Sequence, residues 1–167
     1  SIVATVFAVF ALRELGMPAW AYGIAVALGG VGGFLGAIIA PAVGERIGAG
    51  RAILVGRSLT VVPWLLLAVV PLSSATTMTV LLVIVSIAQF LFGLAMGVED
   101  ANDISYRQAI APDAIQGRMN ATIRTTNRIV FFFGALGAGV LATWLGYSVS
   151  LGIAAAVFAV AALVIVF

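Results

Sequence analysis

Long apolar runs, separated by short polar breaks with unequal charge, constrain this chain more than any other feature. Two of the breaks, at about 43–51 and 101–118, contain two arginines each. The other three, at about 13–18, 71–77 and 145–148, hold one arginine between them. An excess of basic residues on alternate breaks is typical of helical membrane proteins, whose basic loops stay in the cytoplasm. We therefore predict a multi-pass helical membrane protein with both arginine-rich breaks on the cytoplasmic side.

The composition favours the same class. Of the 167 residues, 63% are hydrophobic and 8% are charged, whereas about a quarter of a soluble domain is charged. Cysteine and histidine are absent, which removes thiolate metal sites and the usual general base. We expect no metal, no cofactor and no enzymatic activity. A nucleic-acid partner is not expected either, because the arginines cluster at helix ends and form no basic face.

The apolar runs predict an all-α fold of six transmembrane helices in one domain, residues 1–167. About 20 apolar residues are needed to cross a hydrocarbon core of about 30 Å. The predicted segments lie at about 1–12, 19–40, 52–70, 78–104, 118–144 and 148–167, the first of them truncated. The runs are continuous and do not alternate, which argues against membrane strands. Because the chain starts and stops inside apolar runs, we expect it to be part of a longer protein with both ends of this part cytoplasmic.

Aromatic residues fall where this topology places the outer membrane interface, at which amphipathic rings prefer to lie. They are Trp20, Tyr22, Trp144 and Tyr147. Their positions support the predicted orientation.

Segment two carries a stripe of small residues, suited to close contact between helices. Gly29 and Gly33, like Gly32 and Gly36, are four residues apart and therefore share one helix face. Such stripes let neighbouring backbones approach closely in lipid. The stripe predicts either plain helix packing or a sliding interface of a transporter.

The break after segment two is predicted to form a tight turn. Gly48 and Gly50 permit the positive φ with which many helices end. Glu45 and Arg46 are acid–base neighbours there, and Arg51 closes the turn. The charged residues either take part in a gate or are solvated and set the topology alone.

Segment five begins with a polar face. Its members recur with helical spacing: Asn120, Arg124, Asn127 and Arg128. At about 1.5 Å per residue, Arg128 lies about 24 Å from Trp144, just inside the cytoplasmic edge of the hydrocarbon. A guanidinium there is costly unless it is paired, hydrated or snorkelling. We predict either a cytoplasmic gate or an anchoring arginine. Candidate partners are the acids at the inner end of segment four: Glu99, Asp100 and Asp103.

Two polar residues deeper in the membrane are further candidates for a substrate pathway, together with Asn127. Arg57, early in segment three, either pairs with the same acids or snorkels to the interface. Gln89, near the middle of segment four, either bonds to a neighbouring helix or faces a water-filled cavity. Pro63 is predicted to kink segment three, because it lacks an N–H. No carboxylate lies near the predicted midplane, so a proton-coupling carboxylate is expected elsewhere in the complete protein.

Two breaks carry a resemblance to the major facilitator superfamily. Residues 40–51 resemble the second copy of that family's G-x-x-x-D-R-x-G-R-R loop, with Pro41 in place of the first glycine and Glu45 in place of the aspartate. Residues 106–124 resemble the R-Q-x-x-x-P-D-x-x-x-G-R-x-N-A pattern of the enterobactin-exporter and macrolide-efflux branch. The matching residues are Arg107, Gln108, Pro112, Asp113, Gly117, Arg118, Asn120 and Ala121.

The resemblance covers nearly the whole chain and implies the C-terminal six-helix half of a secondary-active exporter. Its partners would be the lipid bilayer, an N-terminal six-helix half, an amphipathic small-molecule substrate and protons. Segments two and five would face the other half, in a bacterial inner membrane. An uptake permease for a sugar or metabolite, and a membrane scaffold without transport activity, are the alternatives, because a fold does not determine direction or substrate.

Overall fold

The computed structural model describes residues 7–69, 77–146, 149–150, 153 and 156–157, and all regular structure in this part of the chain is helical. The prediction of an all-α fold is therefore confirmed. Because lipid offers no hydrogen-bonding partners, an apolar run in the membrane pairs its own backbone N–H and C=O groups by forming a helix. The elements are a π-helical turn, α1 (Phe10–Glu14), and five α-helices: α2 (Ala19–Ile47), α3 (Ala49–Leu59), α4 (Val61–Val69), α5 (Met78–Ile110) and α6 (Asp113–Leu145).

Four helical stretches among the described residues are long and apolar enough to cross a membrane: Ala19–Ile47, Ala49–Leu67, Met78–Ile110 and Asp113–Trp144. They correspond to the second, third, fourth and fifth predicted segments. Half of the first predicted segment, most of the sixth and residues 71–76 of the break at 71–77 lie outside the described residues, and so does Tyr147.

The helices continue well beyond the predicted membrane segments. α2 ends at Ile47 instead of about residue 40, α5 ends at Ile110 instead of 104, and α6 begins at Asp113 instead of 118. The prediction of loops at 43–51 and 101–118 is therefore wrong for most of these residues. With 29 residues, α2 is about 43 Å long and exceeds the hydrocarbon core. Polar residues at its end reach water without ending the helix.

Gly48 alone separates α2 from α3. It has φ 85° and ψ 144°, a conformation that is essentially restricted to glycine. The positive φ predicted for this turn is thus confirmed at Gly48, whereas Gly50 lies within α3. The reversal brings the third segment back beside the second.

We expect Gly48→Ala to lower the free energy of unfolding by about 1–3 kcal/mol, the cost of an unfavourable backbone conformation. Gly50→Ala is the matched control, since a Cβ at either position meets no atom within 4 Å. It should be neutral or slightly stabilising, because alanine favours a helix over glycine. Thermal unfolding of the two purified variants measures the difference. Equal melting temperatures would contradict the assigned backbone strain.

The stretch Ala49–Leu67, which corresponds to the third predicted segment, is interrupted between α3 and α4. Thr60 lies between the two helices, and Pro63 follows three residues later. Proline has no N–H for the carbonyl of Leu59, and its ring clashes with that carbonyl. The kink predicted at Pro63 therefore takes the form of a break one turn earlier. The Thr60 hydroxyl donates to the carbonyl oxygen of Arg57 at 2.6 Å.

The helices α2 and α5 pack in close contact with each other. Gly29 lies against Gln89 and Gly93, and Gly36 lies against Leu94 and Gly97, so the two helices run parallel. A Cβ at Gly32 would overlap the carbonyl oxygen of Phe90. The stripe that includes Gly33 thus packs within this chain.

The α3–α4 stretch runs antiparallel to α5. Gly56 lies beside Glu99, whereas Trp64, eight residues later, contacts Phe92 with ring centroids 5.0 Å apart. The turn at Gly48 and the C-terminal end of α5 therefore share one end of the bundle. We call it the arginine-bearing end, because Arg46, Arg51 and Arg107 lie there.

The opposite end holds the hydrophobic core. Trp64 and Phe10 are buried there, and Phe7 stacks edge-on against Trp64 at 5.6 Å. Ala138 and Ala142 of α6 belong to the same cluster, so the C-terminal end of α6 lies at this end. The predicted interface residues Trp20 and Trp144 are 62% and 84% exposed, whereas Tyr22 is half-buried.

Candidate functional site

A polar layer joins α2, α3 and α5 near the arginine-bearing end, and its main interaction is between Arg57 and Glu99. Arg57 Nε donates to Glu99 Oε1 at 2.7 Å, and Nη2 contacts the same oxygen. The Glu99 side chain is 6% exposed and that of Arg57 is 37% exposed. Of the two interpretations of Arg57, the structure shows the one in which it pairs with a segment-four acid.

Gly56 brings this pair together. A Cβ at Gly56 would lie 2.9 Å from the Glu99 Cβ and 3.0 Å from the carbonyl oxygen of Ala95. The missing side chain allows α3 to approach α5 closely at this turn. The next residue, Arg57, then reaches Glu99 directly.

Asn102 extends the layer to α2, one turn beyond Glu99. Its Nδ2 donates to the carbonyl oxygen of Ala40 at 3.0 Å and to that of Val98 at 2.9 Å. The residue is 6% exposed. The sequence reasoning overlooked Asn102, although its spacing of three from Glu99 places both on one helix face.

The two other acids of segment four lie at the edge of the layer. Asp103 forms an ion pair with Arg107, four residues later on α5, at 2.5 Å. Asp100 is exposed and forms no ion pair with a described residue. Only one of the three predicted acids thus joins two helices.

The predicted loop residues at the arginine-bearing end do not meet in one site. Glu45, Arg46, Gly48 and Arg51 are exposed around the α2–α3 turn, and Arg118 is exposed on α6. Pro112 is the N-cap of α6 and Asp113 is its first helical residue, without a capping hydrogen bond. Its Oδ1 accepts from Gln116 Nε2 at 3.1 Å.

The polar face of α6 stands apart from the acids. Arg124, Asn127 and Arg128 are exposed, and no ion pair links Arg128 to the acidic side chains of the described residues. The predicted pair between Arg128 and a segment-four acid is therefore not formed. Glu99 is instead paired with Arg57 of α3.

Gln89 lies buried in the α2–α5 contact. A Cβ at Gly29 would lie 3.2 Å from the Gln89 carbonyl oxygen, and the residue is 8% exposed. Nearer the hydrophobic core, Trp64 Nε1 and Ser86 Oγ are buried without a hydrogen-bond partner. In the described ranges, no group of three or more acidic side chains is arranged to hold a metal ion.

No protein family model, curated protein or solved structure matches this chain significantly.

Proposed function

We propose that this chain is the C-terminal six-helix half of a secondary-active transporter of the major facilitator type. The complete protein would export amphipathic small molecules, of the drug or siderophore class, by alternating access coupled to protons. It would lie in a bacterial inner membrane, with both ends of this half cytoplasmic. The motif at residues 106–124 supports the branch, and the four long apolar helices support the membrane assignment.

The position of Arg128 on α6 carries the proposal. Arg128 is exposed, and the residues after it, from Ile129 to Phe133, are exposed and apolar. A guanidinium just inside the edge of the hydrocarbon is costly unless it is paired, hydrated or able to snorkel to the interface. Without an acid partner, this face of α6 calls for a water-filled cavity or a second protein surface. A substrate pathway between two halves supplies both.

The polar layer would then serve as a fixed joint at the cytoplasmic end. The Arg57–Glu99 pair and the Asn102 hydrogen bonds hold three helices together, so they would move as one body during alternating access. Arg124, Asn127 and Arg128 on α6 would line the moving side. This division matches the rocking of rigid bodies about a midplane site in such transporters.

The test is substrate accumulation in efflux-deficient bacteria that express the complete protein. We expect Arg128→Ala to reduce export by about tenfold to a hundredfold, since a charge-assisted contact is worth about 1.5–3 kcal/mol. Arg128→Lys should retain part of the activity. Arg13→Ala, an exposed arginine at the other end, is the matched control and should transport normally.

Four outcomes would contradict the proposal. Equal accumulation with and without the wild-type protein would show that the protein does not export the substrate. A nutrient requirement of a deletion strain would indicate uptake. Export that persists after the proton gradient collapses would show that export is not coupled to protons. Normal export by Arg128→Ala would remove Arg128 from the pathway.

A further inference from the structure

An apolar groove lies between α2, α3–α4 and α5 on the outside of the bundle. Its volume is about 230 Å³, larger than the engineered cavity of about 150 Å³ that binds benzene. Every lining residue is apolar; among them are Ile39, Val43, Val55, Leu59, Val62 and Leu94. The groove is open along one side, since Val55 and Leu59 are 43% and 51% exposed. Its chemistry therefore suits hydrocarbon.

Two arginines lie at the end of this groove that is nearest the arginine-bearing end. Arg51 precedes Val55 by one helical turn on α3, and Arg46 follows Val43 by three residues on α2, so each continues a lining face. Both are exposed, and neither forms an ion pair with the acids of the described residues. Glu45 lines a different cleft, beside Asn102. The mouth of the groove is therefore positively charged.

The length of the groove matches one leaflet of a bilayer. From Arg51 to Val62 there are eleven residues, which span about 16 Å along a helix axis. Half of a hydrocarbon core of about 30 Å is about 15 Å. A molecule with its charged group at the arginines would end near the midplane.

We propose that this groove binds an anionic phospholipid, with one acyl chain along Val55, Leu59 and Val62 and the phosphate between Arg46 and Arg51. The uniformly apolar lining fits an acyl chain better than a drug-like molecule, whose sites usually include a few polar groups that fix its orientation. The two free guanidinium groups favour an anionic headgroup over a zwitterionic one. This inference requires only a membrane and is independent of the transport proposal.

The first experiment measures lipid retained by the purified full-length protein, by native mass spectrometry. The protein is exposed to equal amounts of phosphatidylglycerol and phosphatidylcholine with identical acyl chains. We expect a preference for phosphatidylglycerol that falls about 25-fold in the Arg46→Gln/Arg51→Gln variant, about fivefold for each arginine. Arg13→Gln is the matched control and should keep the preference.

The groove itself is tested by filling it. Leu59→Trp should reduce retention of both lipids, whereas Val83→Trp, at an exposed α5 position outside the groove, should not. For wild-type protein, a phospholipid with a photoreactive group midway along its acyl chain should label the peptide that contains Val55 and Leu59. This measurement does not depend on a variant that folds.

Several results would overturn the proposal. One is an unchanged lipid preference in the double arginine variant, and another is label found only outside the groove. A third is equal lipid retention by Leu59→Trp and Val83→Trp. If Leu59→Trp instead separates an oligomer into monomers without loss of lipid, a second copy of the protein occupies the groove.

Discussion

Gly32→Ala is expected to lower the melting temperature of the protein, whereas Gly30→Ala, two residues away on the same helix, should raise it. Alanine stabilises a helix interior by about 1 kcal/mol relative to glycine, so a gain is the default for both. At Gly30 a Cβ meets no atom within 4 Å, and the gain is realised. At Gly32 the methyl group would overlap the Phe90 carbonyl oxygen, which belongs to a backbone and cannot rotate away.

The expected loss at Gly32 is about 1–3 kcal/mol, as for other overpacked sites. Gly36→Ala should act in the same direction, because its Cβ would overlap the Leu94 carbonyl oxygen. Thermal unfolding of the purified protein, followed by tryptophan fluorescence, measures all three variants. If Gly32→Ala and Gly30→Ala changed the melting temperature in the same direction, the close α2–α5 contact would be wrong.

A second large effect is expected when Arg57 is replaced by methionine and Glu99 is kept. Glu99 would then be a buried acceptor without its donors, which costs about 1–3 kcal/mol and more for a charged group. Arg57 is partly exposed, so water offsets some of this loss. In the double variant Arg57→Met/Glu99→Gln the stranded charge is absent, and most of the stability should return.

A double-mutant cycle on melting free energies isolates this interaction. Arg107→Met is the matched control, because Arg107 pairs with Asp103 within one helix, an arrangement that is worth about 0.3–0.5 kcal/mol. Equal stability of Arg57→Met and the double variant would contradict the expected cost of leaving Glu99 buried without its donors.

Hydropathy was sufficient to place four of the predicted segments, because each apolar run in lipid must form its backbone hydrogen bonds within the same run. The helix ends were misplaced for a physical reason. Polar residues such as Glu45 and Arg46 were taken to mark a loop, yet a helix continues into water as readily as a loop does. The α2–α3 turn lies where the backbone requires it, at Gly48 with its positive φ.

The candidate site was less accessible to sequence reasoning. Spacing along one helix shows which residues share a face, but it does not show which other helix that face meets. Spacing therefore left Arg128 on α6 and Arg57 on α3 as alternative partners of the segment-four acids, and the close approach at Gly56 places Arg57 beside Glu99. The glycines opposite the α2 stripe, Gly93 and Gly97, fall in a different segment, and only the structure aligns the two sets.

The contact between Gly29 and Gly93 also has a consequence for biosynthesis. These residues are 64 positions apart, a distance that a ribosome covers in about 3–13 seconds at about 5–20 residues per second. During that interval the small-residue stripe of α2 has no helix to pack against. The α3–α4 stretch must cross the bilayer in the opposite direction before α5 can pack on α2. The α2–α5 contact therefore cannot form until α5 has been synthesised, and slower translation would lengthen the time for which the glycines of α2 face lipid.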